Sequence, residues 1–450
     1  MQFDAPPAVQ AVPGSDAAPG DAHAGWRTNA VVRRNLFALT VDVTAFAIGM
    51  AFLDENAVLP LLCRRLGASG VVIGAFAAIR FLGFNGLQVA VAWFAPSLRR
   101  QKPALIAICA ATRGPLLLLP FALMRATMSS GRHQALVAVV ILLSLWALGD
   151  GLGYVFWMEI VARAFTDKTR GRFFAGTQIL TGIVVALVAG LVVRAILHNP
   201  RLPFAANYAV LAAGAAFMYM VSLIGIAFVH EPLAPSGHLP PARPSLRMYR
   251  SRILGVVRTD QAFRRLAAAQ MLISFGMAAA PFYVLYAASR YRLSDDWGAV
   301  FQAAAALGAM VLIPCWTVLA ERRGAAAAIR AVAVACVATP AVGLLAGSLS
   351  VWLFCGVFFL LGGSLGWALW IATNHYLLVH APEEDRALLI AMLSLLFVPS
   401  AIFPWLGGVI VWRLQHAAIG GIPSLLVITI AVTACGLALA GQIPHRTVAP

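Results

Sequence analysis

Apolar runs of bilayer-crossing length recur almost end to end along this chain, with short polar gaps between them. A helix needs roughly 20 predominantly apolar residues to cross the hydrocarbon layer. In lipid, a helix also satisfies its backbone amides within one segment. The pattern predicts helices over 36–62, 71–94, 104–124, 135–160, 174–197 and 204–229. A polar stretch from His230 to Phe263 follows, and then helices over 264–288, 298–320, 325–346, 350–378, 387–412 and 422–441. Residues 1–34 are rich in Ala, Pro and Gly, carry Asp4, Asp16 and Asp21, and lack the apolar centre of a signal peptide. They predict a disordered cytosolic tail. In the polar stretch, Leu246, Tyr249, Ile253 and Val257 fall near one helical face, and Arg243, Arg247, Arg250, Arg252 and Arg258 populate the rest. That spacing predicts a basic amphipathic helix on the membrane surface. The expected order is a tail (1–34), a six-helix half (35–229), a linker (230–263), a second six-helix half (264–442) and a short tail (443–450).

Composition narrows the class. Of 450 residues, 61% are hydrophobic and 11% charged, whereas soluble domains run near half apolar and about a quarter charged. The net charge of +16 would suggest nucleic acid in a soluble protein. Here the basic residues sit in short loops and no nucleic-acid motif accompanies them. Anionic lipids of the inner leaflet are the expected partners, and nucleic acid is not. Arg and Lys crowd the segments that an internal N-terminus makes cytosolic: Arg33 and Arg34, Arg99 to Lys102, Arg163 to Arg172, the central stretch, and Arg322 to Arg330. The excess predicts an inner-membrane protein with both termini in the cytosol. The six cysteines are scattered without a C-x-x-C, so neither a metal site nor a disulfide framework nor a cofactor is indicated.

The two halves can be laid on each other. Leu148-Gly-Asp-Gly-Leu-Gly-Tyr-Val-Phe-Trp157 matches Leu361-Gly-Gly-Ser-Leu-Gly-Trp-Ala-Leu-Trp370 at a constant offset. Trp93, Arg99 and Arg100 fall opposite Trp316, Arg322 and Arg323 at another. The loop after the eighth helix, Thr317-Val-Leu-Ala-Glu-Arg-Arg-Gly324, is similar to the G-x-L-A-D-R-x-G-R loop signature of the major facilitator superfamily, and Thr169-Arg-Gly-Arg172 resembles its Arg-Gly-Arg. The loop after the second helix, Phe94 to Lys102, keeps only the basic residues. The chain therefore resembles that superfamily, whose parallel six-helix halves face each other across a central site. The resemblance implies an all-α membrane fold of about twelve helices and secondary transport of a small-molecule substrate. It also implies that helices 1, 4 and 10 line the cavity. The family's Pro-containing antiporter motif is missing from the fifth helix, Gly176 to Gly190, while Pro404-Trp-Leu-Gly407-Gly408 lies in the eleventh.

Ionisable groups within a bilayer are costly and mark function by default. Arg113 and Asp150 share a depth on consecutive helices, which predicts an intramembrane ion pair. Arg80 lies within side-chain reach of Asp54 or Glu55. Asp42, ~10 Å from the cytosolic end of helix 1, has no base at its depth. Its competing readings are a carboxyl hydrogen-bonded to Thr40 or Thr44 and a proton-coupling group. Asn56 falls near the same helical face as Asp42. Asn56, Asp54, Glu55, Arg80, Trp157, Trp367 and Trp370 are candidates for the cavity or substrate site. Arg99, Arg100, Glu159, Arg163, Glu321 and Arg322 are candidates for a cytosolic gate. All the deep acids lie in the first six helices. This resembles proton-coupled exporters of the superfamily, and it implies protons as a second ligand and export as the direction. His380 to Asp385 has the H-x4-D spacing of some acyltransferases, but the repeat already accounts for this loop. A transport-inactive sensor or assembly partner of the same fold is the other alternative.

Overall fold

The computed structural model describes residues 29–94, 98, 100–127, 131–231, 261–364, 366–380 and 398–443. The tail up to residue 28, the predicted amphipathic helix and residues 381–397 of the predicted loop and eleventh helix lie outside them. Among the described residues the fold is helical, with no strand. The first half comprises α1 (Asn29–Phe52), a short α2 (Val58–Arg65), α3 (Gly70–Phe94), α4 (Lys102–Arg113), α5 (Leu119–Met124), α6 (Arg132–Ala164), α7 (Asp167–Leu187), α8 (Arg194–His198) and α9 (Ala206–Phe228). The second comprises α10 (Gln261–Ser274), α11 (Ala280–Arg290), α12 (Trp297–Arg323), α13 (Ala325–Leu344), α14 (Val351–Ser364), α15 (Trp367–His380), α16 (Phe403–Arg413) and α17 (Gly421–Gly441). Ten of the described helical segments are long and apolar enough to cross a bilayer, and Gly70–Phe84 adds a shorter apolar helix.

Several predicted helices are interrupted for identifiable reasons. Pro115 opens a 3-10 turn between α4 and α5, and Pro281 follows the 3-10 turn between α10 and α11. Proline has no amide to complete an α-helical ladder. A π-helical turn, Val188–Val193, joins α7 to α8. The largest departure is in helix 1, expected to run unbroken over 36–62. It begins earlier, at Asn29, and it ends at Phe52. Asp54 Oδ1 accepts the backbone N–H groups of Asn56 (3.0 Å) and Ala57 (2.7 Å). Such a side chain–backbone turn offers the chain an alternative to the helical ladder. Asn56 is therefore not on the helix that carries Asp42, and the shared face expected for the two does not exist.

The packing repeats between halves. α1 packs on α9 as α10 packs on α17, and α3 packs on α6 as α12 packs on α14. The halves meet through α3 against α16 and α7 against α12. α1 starts, α9 ends, α10 starts and α17 ends at one end of the bundle, the termini end. There Arg34 Nε donates to Phe228 O (3.0 Å) and Asn35 Nδ2 to His230 O (2.9 Å). At the opposite end the halves are in close contact. A Cβ on Gly74 would lie 2.2 Å from Pro404 O, and one on Gly408 would lie 2.3 Å from Gly70 O. Only glycine lets two backbones come this near.

Candidate functional site

Glu55, Arg80, Asp150, Arg113, Ser222, Asp42 and Trp157 form one connected polar chain inside the first half. Glu55 Oε2 lies 3.0 Å from Arg80 Nε, and Arg80 Nη1 lies 3.6 Å from Asp150 Oδ2. Asp150 Oδ1 accepts from Arg113 Nη2 at 3.3 Å. Arg113 Nη1 donates to Ser222 Oγ (2.8 Å), which donates to Asp42 Oδ1 (2.5 Å). Trp157 Nε1 donates to Asp42 Oδ2 at 2.8 Å. Six elements contribute: α1, the α1–α2 junction, α3, α4, α6 and α9. Aromatic faces sheath the guanidiniums. Arg80 Cζ is 4.3 Å from the Trp146 ring centre, and Arg113 Cζ is 4.9 Å from that of Phe46. Tyr219 packs against both rings. A cation over an aromatic face gains stabilisation that grows as water is removed. The linked charges comprise three carboxyls, Glu55, Asp150 and Asp42, against two guanidiniums, Arg80 and Arg113.

The structure brings Arg113 and Asp150 together but gives Asp150 a second arginine, Arg80. Arg80 takes Glu55 and not Asp54, whose Oδ1 is held by the α2 turn. Asp42 is not isolated, as its depth suggested. Both its oxygens accept hydrogen bonds, and Arg113 stands one hydroxyl away. Its partners are Ser222 and Trp157, not Thr40 or Thr44. The equivalence of halves breaks here. At the offsets that align the repeats, Arg80, Arg113 and Asp150 correspond to Ala303, Cys336 and Gly363. Gly225 packs on the Asp42 backbone as Gly436 packs on Ile273. Near that place in the second half, Thr433 donates only to its own helix, at Thr429 O.

The remaining candidates are dispersed. Trp367 and Trp370 are exposed and meet edge-to-face with ring centres 6.0 Å apart. Arg99 lies outside the described residues. Glu159 pairs with Arg163 at 2.8 Å, and Arg163 Nη1 lies 3.7 Å from Glu231, all within the first half. Arg100, Glu321 and Arg322 are exposed at the termini end. The ion pairs between described residues of the two halves lie at the opposite end. Arg65 Nε is 3.1 Å from Asp295 Oδ2, which also accepts from Tyr208 Oη at 3.1 Å. Arg194 and His198 lie 3.7 and 3.5 Å from Asp296. The sequence shows only the Asp295-Asp296 doublet just ahead of α12; the partners that make it a lock are remote in the chain. Beneath it lies a cavity of about 80 Å³ between the halves, lined by Asp54 and Asn56 from one and Gln302 and Phe358 from the other. Gln302 is 3% exposed, and neither its Oε1 nor its Nε2 has a hydrogen-bond partner.

The sequence matches a family model described as Major Facilitator Superfamily over residues 36–404. Solved structures of similar fold include a mutant of the nucleoside transporter NupG, at TM-score 0.70 and 12% identity, covering 92% of this chain and 99% of that one. A bacterial homolog of the human lysosomal transporter Spinster, in an inward-facing and unoccupied conformation, aligns at TM-score 0.63 and 15% identity, over 92% of this chain and 97% of that one. A bacterial homologue of the iron transporter ferroportin, in an inward-facing state, aligns at TM-score 0.58 and 13% identity, over 91% and 98%. Comparison with curated proteins gives no match.

Proposed function

The chain belongs to the major facilitator superfamily and is a multi-pass membrane transporter, and from that premise we propose that it carries a small solute by alternating access, coupled to protons, in the direction of export. The observation that supports coupling is the surplus carboxyl in the buried polar chain. An uncompensated charge in a low-dielectric interior is costly and is relieved by neutralisation. One proton brings the linked set of Glu55, Arg80, Asp150, Arg113 and Asp42 to electrical balance. Asp42 is the carboxyl farthest from a guanidinium along that chain, and it is assigned the exchanging proton. Ser222 and Trp157 hold it through side-chain contacts that a shift of α6 or α9 against α1 would change.

The termini end is taken as cytosolic, from the charge bias of the loops. The Asp295–Asp296 lock and the glycine contacts then close the external side, and the access route opens to the cytosol. The inward-facing conformations named for the Spinster and ferroportin homologues support this assignment by analogy of fold. The test is solute movement in vesicles reconstituted with the full chain. A metabolite mixture is screened for accumulation driven by a pH gradient. For a solute so found, Asp42→Asn should abolish gradient-driven accumulation and retain exchange of labelled for unlabelled solute. Loss of both, or of neither, would overturn the assignment of Asp42.

A further inference from the structure

A second cavity, of about 650 Å³, lies at the termini end, where α1 and α4 flank the end of α9. Among the described residues, its polar lining is Arg34, Arg100, Lys102 and His230, with Glu231 as the one acid. That acid is consumed internally. Glu231 Oε1 and Oε2 accept the backbone N–H groups of Gln101 (2.5 Å) and Lys102 (3.0 Å) at the start of α4, and Arg163 lies 3.7 Å away. Two of the basic groups are fixed in place by the carbonyls that end α9. Lys102 Nζ donates to Ala227 O and Val229 O, and Arg34 Nε to Phe228 O. Cations near helix C-terminal carbonyls are well placed, and the guanidinium of Arg34 still has its two Nη groups for an incoming anion. The site is therefore a fixed cationic notch with its acid already neutralised.

The other described lining residues, Pro103, Ile106, Ala107 and Val229, are apolar. Ile106 and Ala107 line the cavity on α4. Farther along the same span Leu117, Leu118 and Phe121 are exposed, and Phe37 on α1 and Phe228 on α9 flank the mouth, 73% and 60% exposed. A free anion needs only the charges. A notch with cations at the membrane surface and an apolar slope running into the hydrocarbon matches a molecule with both parts. The adjoining segment 232–260 is itself rich in arginine, so charge complementarity argues against this stretch as the occupant. We propose that the notch formed by Arg34, Arg100 and Lys102 at the ends of α1, α4 and α9 is a binding site for the phosphodiester headgroup of an anionic phospholipid, with one acyl chain along α4. This is a discrete site, beyond the general attraction of basic loops to an anionic leaflet. It does not depend on proton coupling or on transport.

The test is native mass spectrometry of the purified full chain titrated with phosphatidylglycerol, phosphatidylcholine or inorganic phosphate. The wild type should bind phosphatidylglycerol saturably and in preference to phosphatidylcholine. Each arginine near an anionic headgroup contributes about fivefold in affinity. Arg100→Gln, which disturbs no helix end, should weaken phosphatidylglycerol about fivefold, and Arg34→Gln with Arg100→Gln more. Ile106→Trp, which fills the apolar slope and leaves the charges, should weaken it as well, with the melting temperature in detergent checking that each variant folds. Equal binding of the two lipids, or unchanged affinity in folded Arg100→Gln and Ile106→Trp, would overturn the site. Displacement of phosphatidylglycerol by millimolar inorganic phosphate would show a free-anion site and overturn the lipid assignment.

Discussion

Removing the carboxyl of Asp150 should be the most damaging single change in the polar chain, because two guanidiniums share it. Arg113 Nη2 lies 3.3 Å and Arg80 Nη1 3.6 Å from its oxygens, and the side chains of all three are about 10% exposed or less. Stripping one partner from a buried pair costs about 3–5 kcal/mol, chiefly through the uncompensated charge left behind. In Asp150→Leu, Arg80 keeps Glu55, whereas Arg113 is left without a carboxylate in direct contact and faces the Ser222 hydroxyl and the Phe46 ring, so the penalty falls on Arg113. In Arg113→Leu, Asp150 keeps Arg80, and the loss should fall below that range. The double variant removes one charge of each sign and leaves Arg80 paired with Glu55. It should be more stable than Asp150→Leu alone, with a coupling of about 1–3 kcal/mol between the two sites. The assay is melting of the purified chain in detergent, read by loss of monodisperse protein. Strictly additive shifts, or an Asp150→Leu variant as stable as Arg113→Leu, would refute the shared-carboxyl reasoning.

Gly74→Val should disfavour the state closed at the end opposite the termini, because its Cβ would meet Pro404 O at 2.2 Å; spin labels on α2 and α12 should report longer separations there, and an unchanged distance would count against the reasoning. Asp295→Asn with Asp296→Asn removes the carboxylate charges that Arg65, Tyr208, Arg194 and His198 face. With Arg65 and His198 largely in solvent, the pair contributes about 1–2 kcal/mol, so the same labels should show a roughly 5–30-fold shift toward opening, and no shift would show that the glycine contacts alone hold the end closed. Gln302→Ala enlarges a cavity whose amide has no protein partner. If solute uses that amide, its apparent affinity should fall about 5–10-fold at little cost to melting, whereas unchanged affinity would remove Gln302 from the route.

The fold was largely legible because its signal is repetitive. Spans long enough to cross a bilayer, and a repeat carried by Leu148–Trp157 against Leu361–Trp370, fix an all-helical, two-halved architecture without reference to side-chain contacts. Depth arithmetic also matched Arg113 to Asp150, since both positions follow from helical rise alone. It failed at Asn56, where the Asp54 carboxylate accepting the backbone N–H groups of Asn56 and Ala57 overrode hydropathy and α1 ends at Phe52, and at Asp42, whose partners Ser222 and Trp157 come from other helices. It also missed Ser222 and Trp146, because a serine or tryptophan in an apolar run carries no sign of which neighbour it faces. The Asp295–Asp296 lock depends on contacts from Arg65, Tyr208, Arg194 and His198, which are remote in sequence, and no local pattern predicts that convergence.

The surplus carboxyl of the first half, at Asp42, is proposed to carry the coupled proton. The direct measurement is proton movement itself, recorded by a pH-sensitive dye trapped in vesicles when a transported solute is added without a pre-set pH gradient. Wild type should move protons against the solute, and the signal should saturate as solute movement does. Asp42→Asn should move no protons while still exchanging labelled solute. Proton movement of wild-type size in Asp42→Asn would contradict the claim.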